Sequence, residues 1–534
     1  MAVSAIEKLD LTKSTAAPVP AGNVGGVSRK AGSFQGALGN WFVHKLNRLS
    51  ESREREVSVD RADALFNNDP HAASVIDSMA TNIVGTGLAP QAAIPWKMLG
   101  WDEATARAIR DQQELAFSLW ARHCADARGR MQFWMMQMVT IYCLLNHGEY
   151  FRQPIMIDDD NRLFSLALQS IHPLRVRSPE TKKNDKQTRD GIRMNLLGAP
   201  ESYWVANPDG SNTFSNSFAS LDISKYSQVP ARIAHRPGML HGFVQKTDEQ
   251  IRGVSVLAPA MPFFRNLSDY LDYELIGAMA AASFSVFIST ENKYESLPPA
   301  SAFGGGSGDS SNDQDPIRYS EFAPGTVSYG NENEKPHILK SDRPSDTFAP
   351  FVERLLRAVG ASVGMPYEVI AKDFSKTNYS SARAALLEAG RVFANYQQHL
   401  VDGFCQPVWD MVQEEAYLRG LVSYPKGTDF YALRYMLTMC RWVPPRRGHV
   451  DPKKEMEAFI LAKDNNILTL ARIIAEQGGD WEETLKQRGV ERRMEKDEGI
   501  EVRDQGSEVG GQRSEVGDQD KEDPEETENK NETD

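Results

Sequence analysis

Residues 252–290 read RGVSVLAPAMPFFRNLSDYLDYELIGAMAAASFSVFIST, and the rest of the chain is arranged around them. Gly253 and Ser255 make a loose turn, and Pro259 and Pro262 fall where a first helical turn tolerates proline. Phe263, Phe264, Leu267, Leu271 and Leu275 then recur at three- and four-residue steps, which predicts an apolar helix face. Past Gly277 come Ala278, Ala280, Ala281, Ala282 and Ser283, small residues that let another backbone approach. The pattern predicts a helix over 262–289, about 42 Å long at 1.5 Å per residue. Arg265, Asp269, Asp272 and Glu274 interrupt it, which excludes a membrane span. Taken alone, it is a buried core helix. A polar excursion to about residue 346 follows, containing the flexible insert FGGGSGDSSNDQDP, and then a second helical pattern over 348–360. Two helices bracketing such an excursion suggest a stalk with a tip.

With 534 residues, 41% apolar and 25% charged, the chain has material for two or three ordinary soluble domains. Its net charge of −13 is concentrated at one end, since residues 491–534 hold 17 acidic and 7 basic side chains. The body is therefore near neutral. That argues against a broad basic surface gripping nucleic acid, and leaves open a surface that nucleic acid slides past. Cys124, Cys143, Cys405 and Cys440 form no CxxC pair and are expected to be buried free thiols of a reducing compartment. The first residues carry acidic side chains and no continuous apolar core, so no signal peptide is expected and the chain is read as cytosolic when made.

Residues 1–57, rich in Ala, Gly, Ser and Thr, predict a flexible arm, with Trp41 and Phe42 as a docking point. Helical spacing begins near Val59 and restarts at Asp69-Pro70, ending at Gly85 and Gly87. Residues 102–127 predict an amphipathic helix with Ile109, Leu115, Phe117, Leu119 and Trp120 on its apolar side. Residues 131–145 are nearly all apolar and predict deep burial. Strand-like runs follow at 149–157, 162–170, 191–195, 203–206 and 232–235, giving an α+β body that is mainly helical. Ser380 or Ser381 is expected to cap a long helix over 382–419, interrupted near 403–407. Two short helices are centred on 456–463 and 469–477. The tail, with SEVG at Ser507 and again at Ser514, predicts disorder.

Enzyme signatures are poor. Gly304–Gly308 lacks the Gly-Lys-Ser/Thr of a phosphate loop, and no HExxH or Gly-x-Ser-x-Gly is present. His235 and His241 flank a Pro-Gly turn with no acidic neighbour in sequence, a weak metal pattern. Asp158–Asp160 fits an exposed turn better than a cation site. Neither a catalytic residue nor a metal or other cofactor is expected. The segment 372–383, KDFSKTNYSSAR, stands out as a polar loop between two strong helical patterns. Taken plainly, it is a surface loop.

Several blocks, in order, carry a resemblance: RADALFNNDPHAASVIDSMATNIVG (61–85), RGVSVLAPAM (252–261), VGMPYEVIAKDFSKTNYSSARAALLEAGRVF (363–393) and VDPKKEMEAFILAKDNNILTLARIIAEQGGDWEETLKQRG (450–489). Over most of 60–490 the chain resembles tailed-phage portal proteins of the lambda type. The resemblance implies a ring of about twelve subunits at one capsid vertex, closed by rotational symmetry. Duplex DNA passes through it on packaging and ejection. The terminase large subunit docks on it, the head–tail connector later replaces that motor, and the major capsid and scaffold proteins surround it. The location implied is the virion, assembled in the host cytoplasm, from a phage or prophage.

The implied plan is a flexible arm (1–57), a wing (58–250), a first stem helix (251–290), a clip (291–347), a second stem helix (348–363) and a tunnel loop (364–381). A long wing helix with its return (382–445), a helical crown (446–490) and an acidic tail (491–534) complete it. On that plan Lys372, Ser375, Lys376, Asn378 and Tyr379 are the candidate DNA-channel residues. Gly253, Ser255, Leu267, Leu271, Gly277 and Ala281 are the candidate stem-packing residues. Two alternatives come from other classes: a different head–tail connector or minor capsid protein, and a nucleic-acid-processing enzyme of the packaging machinery. The enzyme would need a nucleotide site or a carboxylate metal cluster.

Overall fold

A computed structural model describes residues 48–182, 184–207, 225–283, 286–289, 327–330, 348–376, 378–445 and 452–497. Two units are distinguished, Met1–Glu54 and Arg55–Asp534, and the first is described only over its last residues, which are helical. Trp41, Phe42, the 301–326 insert and residues from 498 onward lie outside the described residues.

Helix α1 spans Arg48–Asn68 and α2 spans Pro70–Val84. The break between them is local chemistry: Asp69 caps α2 by accepting from the His71 and Ala72 amides, with Pro70 at the first helical position. α1 starting at Arg48 corrects the arm expected up to residue 57. Strand β1 (Ala89–Ala92), the single turn α3 (Trp96–Leu99), α4 (Glu103–His123) and α5 (Phe133–Asn146) follow. α4 buries Ile109, Phe117 and Trp120, but Leu115 is 61% exposed and does not belong to its inner face. α5 buries Met136, Ile141 and Leu145, whereas Trp134 and Met135 at its start are exposed, so the apolar run is not buried all round.

The sheet region holds β2 (Glu149–Met156), β3 (Leu166–Ile171), β4 (Thr188–Arg189), β5 (Ile192–Met194), β6 (Pro200–Ala206), β7 (Tyr226–Pro230), β8 (Arg232–Ile233), β9 (Arg236–Pro237) and β10 (Leu240–Phe243). One antiparallel sheet has the order β10-β2-β3 and another the order β4-β5-β6-β7. Phe151, Ile171, Val176, Ile192, Tyr203 and Val205 pack together as a small core of their own. β7 and β10 went unread in the sequence because neither shows a clean alternation.

Helix α6 runs Met261–Ser283 and strand β11 runs Val286–Ser289. The helix is thus shorter than the 262–289 expected, about 34 Å at 1.5 Å per residue. β-branched and aromatic residues take over in VFIS, which pairs in parallel with β12 (Val327–Gly330). α7 spans Phe348–Val363, α8 spans Tyr367–Ala371 and α9 spans Tyr379–Leu400. A π-turn, Val401–Cys405, separates α9 from α10 (Gln406–Leu418), the interruption that Gly403 and Pro407 announced. Then come α11 (Phe430–Leu437), β13 (Cys440–Val443), which pairs with β1, and α12 (Pro452–Asp464), α13 (Leu470–Glu476) and α14 (Trp481–Asp497). α14 was not expected, and it makes 491–497 helical, a correction to a tail disordered from residue 491.

Candidate functional site

The helix that organises the chain is rooted in a buried ionic knot. Glu149 opens β2 and is fully buried. Arg252, at the lead-in to α6, donates Nε and Nη2 to the Glu149 carboxylate at 2.6–3.0 Å, and Nη1 and Nη2 reach the Val176 and Pro173 carbonyls at 2.9 and 3.1 Å. The Gly253 amide donates to Glu149 Oε2 at 3.1 Å, and His241 Nε2 lies 3.2 Å from the same oxygen. That contact corrects the expectation of no acidic partner beside His241. Arg55 of α1 bonds both oxygens of Asp190 and comes within 3.7 Å of Glu149. Burial works to raise the Glu149 pKa, but Arg252, His241 and Arg55 outweigh it and hold the carboxyl well below the usual range. Burial keeps the His241 pKa down, so two arginines face two carboxylates with a neutral imidazole.

Two of the stem-packing candidates act here. A Cβ on Gly253 would stand 2.0 Å from the Gly148 carbonyl oxygen, so the lead-in to α6 crosses the start of β2 backbone against backbone. Ser255 is buried and its Oγ accepts from the Leu257 amide at 3.1 Å, turning the chain into the helix. Leu267 is buried with Phe264, and Leu271 is partly buried against the main core. Phe263 and Leu275 were expected on that face, but both are exposed, Leu275 by 60%. Glu274 takes the inward position instead, because 264, 267, 271 and 274 keep the three- and four-residue step. Gly277 is half-buried, and Ala281 lies in α6 but its side chain falls outside the described residues.

α7 starts beside Tyr270, whose ring meets Phe348 and Phe351 at 5.7 and 4.8 Å. α6 continues beyond this point for about 20 Å at 1.5 Å per residue. Along that outer half Tyr273, Leu275, Ile276 and Met279 are each at least 60% exposed.

The channel-loop candidates occupy the link from α8 to α9. Lys372 closes α8 in the left-handed conformation and turns inward, its Nζ donating to Ser78 Oγ of α2 at 3.0 Å. Asp373 accepts from the Ser375 amide and hydroxyl, and Lys376 reaches Glu353 of α7 at 3.4 Å across an exposed gap. Asn378, not Ser380 or Ser381, caps α9 by accepting from the Ser381 amide at 2.8 Å. The side chain of Tyr379 and residue 377 lie outside the described residues. The link is held to α2 through Lys372 and to α7 through Lys376.

Residues 37–397 match the model of the phage portal protein, lambda family. The chain belongs to the lambda family of phage portal proteins. It is similar to Portal protein B of Escherichia phage lambda, 26% identical over 492 residues that cover 87% of this chain and 88% of that one. It is similar, too, to the portal protein of Escherichia phage N15, 25% identical over 494 residues covering 87% and 89%. Among solved structures it is similar to a chain in the neck of an empty gene transfer agent particle, with TM-score 0.39, 11% identity and coverage of 78% of this chain and 93% of that one. Portal function and a place in the phage particle follow from the sequence matches, which span both proteins nearly end to end.

Among the described residues, this portal chain also has one group with metal-ligand chemistry. Asp63, His147 and His172 bring their ligand atoms within 4.8 Å of one another. The donor set fits a metal poorly, because His172 Nδ1 accepts from the Leu174 amide at 3.2 Å, which leaves the proton on Nε2. Sequence reasoning missed this group and the Glu149–Arg252 knot, since their members lie 84 and 103 residues apart. The portal's only local hints were an acidic residue opening an apolar strand and an arginine before a glycine.

Proposed function

We propose that this portal chain closes into a ring of about twelve copies around an axial channel for duplex DNA. On this reading α6 and α7 form the stem, residues 291–347 the clip, and 364–381 the tunnel loop. The α+β body with α9 and α10 forms the wing, and α12 to α14 the crown. The terminase motor docks on the ring and supplies ATP hydrolysis, and the head–tail connector later takes its place.

One observation carries the ring: the bulky apolar band of Tyr273, Leu275, Ile276 and Met279 on the outer half of α6. A contiguous apolar strip of this kind is stabilised by burial against a partner, and cyclic symmetry offers the same strip to each neighbour. A near-neutral body suits a conduit, because every fixed phosphate contact adds salt-dependent affinity that would hold DNA in place. On this reading Lys376, paired to Glu353, and Lys372, tied to Ser78, belong to the channel loop with their ammonium groups already partnered, which supports sliding over tight binding.

The test is native mass and particle imaging of the purified chain and of Leu275→Asp combined with Ile276→Asp. Wild-type rings with an axial hole, and a double variant that keeps its helical circular dichroism but stays monomeric, are the expected pair. A double variant that closes rings as readily as the wild type removes α6 from the interface. A wild-type monomer that hydrolyses nucleotide overturns the whole reading.

A further inference from the structure

Away from the stem root and loop, a thiol, an imidazole and a carboxylate meet in the body. Cys143 and His147 stand one turn apart at the end of α5, and Asp63 of α1 lies 2.8 Å from His147 Nε2. Asn146 donates to the same Asp63 oxygen at 2.7 Å, fixing the carboxylate. His147 is 8% exposed, and its Nδ1 is buried with no hydrogen-bond partner, one helical turn from Cys143. From β2, Arg152 brings Nη2 to 3.8 Å from Cys143 Sγ. Arg152 is 1% exposed, and among the described residues no carboxylate pairs with its guanidinium. A buried cation without a counter-charge is strongly disfavoured, so the position opposite it selects thiolate over thiol.

We propose that Cys143 is a reactive thiolate, activated by His147 and Arg152 with Asp63 as the positioning residue, and that it is a site of modification by small hydroperoxides. The sulfur attacks the distal peroxide oxygen; the S–O bond forms as the O–O bond breaks. Sulfur gives up two electrons to become the sulfenic acid, and the peroxide is reduced. The departing alkoxide, or hydroxide when the reagent is hydrogen peroxide, takes the proton of the His147 imidazolium and leaves as the alcohol or as water. Cys143 is half-buried as a residue, and a small uncharged reagent is taken as the one that reaches its sulfur.

The electrostatics agree with the geometry. Burial pushes the Cys143 thiol up, but nearby His147 and the charge of Arg152 outweigh it and bring it down to about 7. Burial pushes His147 down, while Asp63 and Cys143 raise it further, to about 9. Between those values the pair is thiolate and imidazolium. The other groups facing it do not compete: burial and the His147 charge depress His172 to about 4, and Asp77 of α2 accepts from the Tyr142 hydroxyl. Burial raises Cys405 and Cys440, which makes them internal references.

The experiment is peptide-level carbamidomethylation of the full chain by iodoacetamide as a function of pH. Cys143 should label with a midpoint near pH 7. At that pH it should react at least about tenfold faster than Cys405 or Cys440, in proportion to thiolate fraction. His147→Asn should move the midpoint up by about one unit or more, and Asp63→Asn by less in the same direction. Hydrogen peroxide followed by dimedone should tag Cys143 in the wild type and about tenfold less in His147→Asn. A wild-type midpoint at or above about 8.5, the free-cysteine value, overturns the thiolate assignment. No labelling of the native chain at any pH does the same. Labelling without a dimedone adduct overturns the peroxide assignment. The wild-type profile decides the matter even if a variant fails to fold.

Discussion

Replacing Glu149 by glutamine removes one charge from a site with no solvent to compensate. Its side chain is fully buried, Arg252 forks onto both oxygens, and Arg55 stands 3.7 Å away. The variant leaves two buried guanidiniums facing the single carboxylate of Asp190, and breaking a buried pair in this way costs about 3–5 kcal/mol. That is a large share of a typical domain stability of about 5–15 kcal/mol. With a urea slope of about 3 kcal/mol/M, the unfolding midpoint should fall by about 1–1.7 M. The loss should depend on pH with a definite sign. Because the folded pKa of Glu149 is depressed, its stabilisation is fully present above the unfolded value of about 4.3 and disappears as the pH falls through the folded value. The gap between wild type and Glu149→Gln should therefore be constant near neutrality and narrow in acid. Urea titrations followed by circular dichroism at several pH values measure both features. A loss under about 1 kcal/mol, the scale of an exposed pair such as Lys376–Glu353, would refute the idea that the knot roots α6.

Two further outcomes follow from local geometry. Gly253→Ala should cost about 1–3 kcal/mol in the same titration, since its Cβ would stand 2.0 Å from the Gly148 carbonyl oxygen; an unchanged midpoint would show that the backbones do not cross there. Asn378→Ala should cost about 1 kcal/mol and raise hydrogen exchange at the Ser381 amide, whereas unchanged exchange would mean that Asn378 is not the cap.

Much of the helical plan was legible because it rests on neighbours in sequence. Asp69-Pro70 splits α1 from α2 through a cap and a fixed φ, and both act within three residues. The break between α9 and α10 was announced by Gly403 and Pro407, although the chain answers it with a π-turn and not a loop. Portal-family membership was legible too, in blocks such as 363–393, because a long ordered series of residue types is a sequence property. Boundaries were less so: SFSVFIST continues the apolar texture of α6, and only pairing with β12, some forty residues away, turns part of it into strand.

The inner face of α6 was legible in part, because its spacing points Phe264, Leu267 and Leu271 the same way. Glu274 was excluded from that face by its charge, although spacing alone includes it, and Leu275 was admitted by its four-residue step from Leu271, although it is 60% exposed. What only the tertiary structure decided is which charges are buried together. Glu149 with Arg252, Arg55 with Asp190, and Asp63 with His147 and Cys143 join α1, α5, β2 and the lead-in to α6 across separations that no periodicity spans. A carboxylate in sequence is the same letter whether it meets water or a buried guanidinium. Its energy, and hence its role, depends on the partner and the dielectric around it, and folding supplies both.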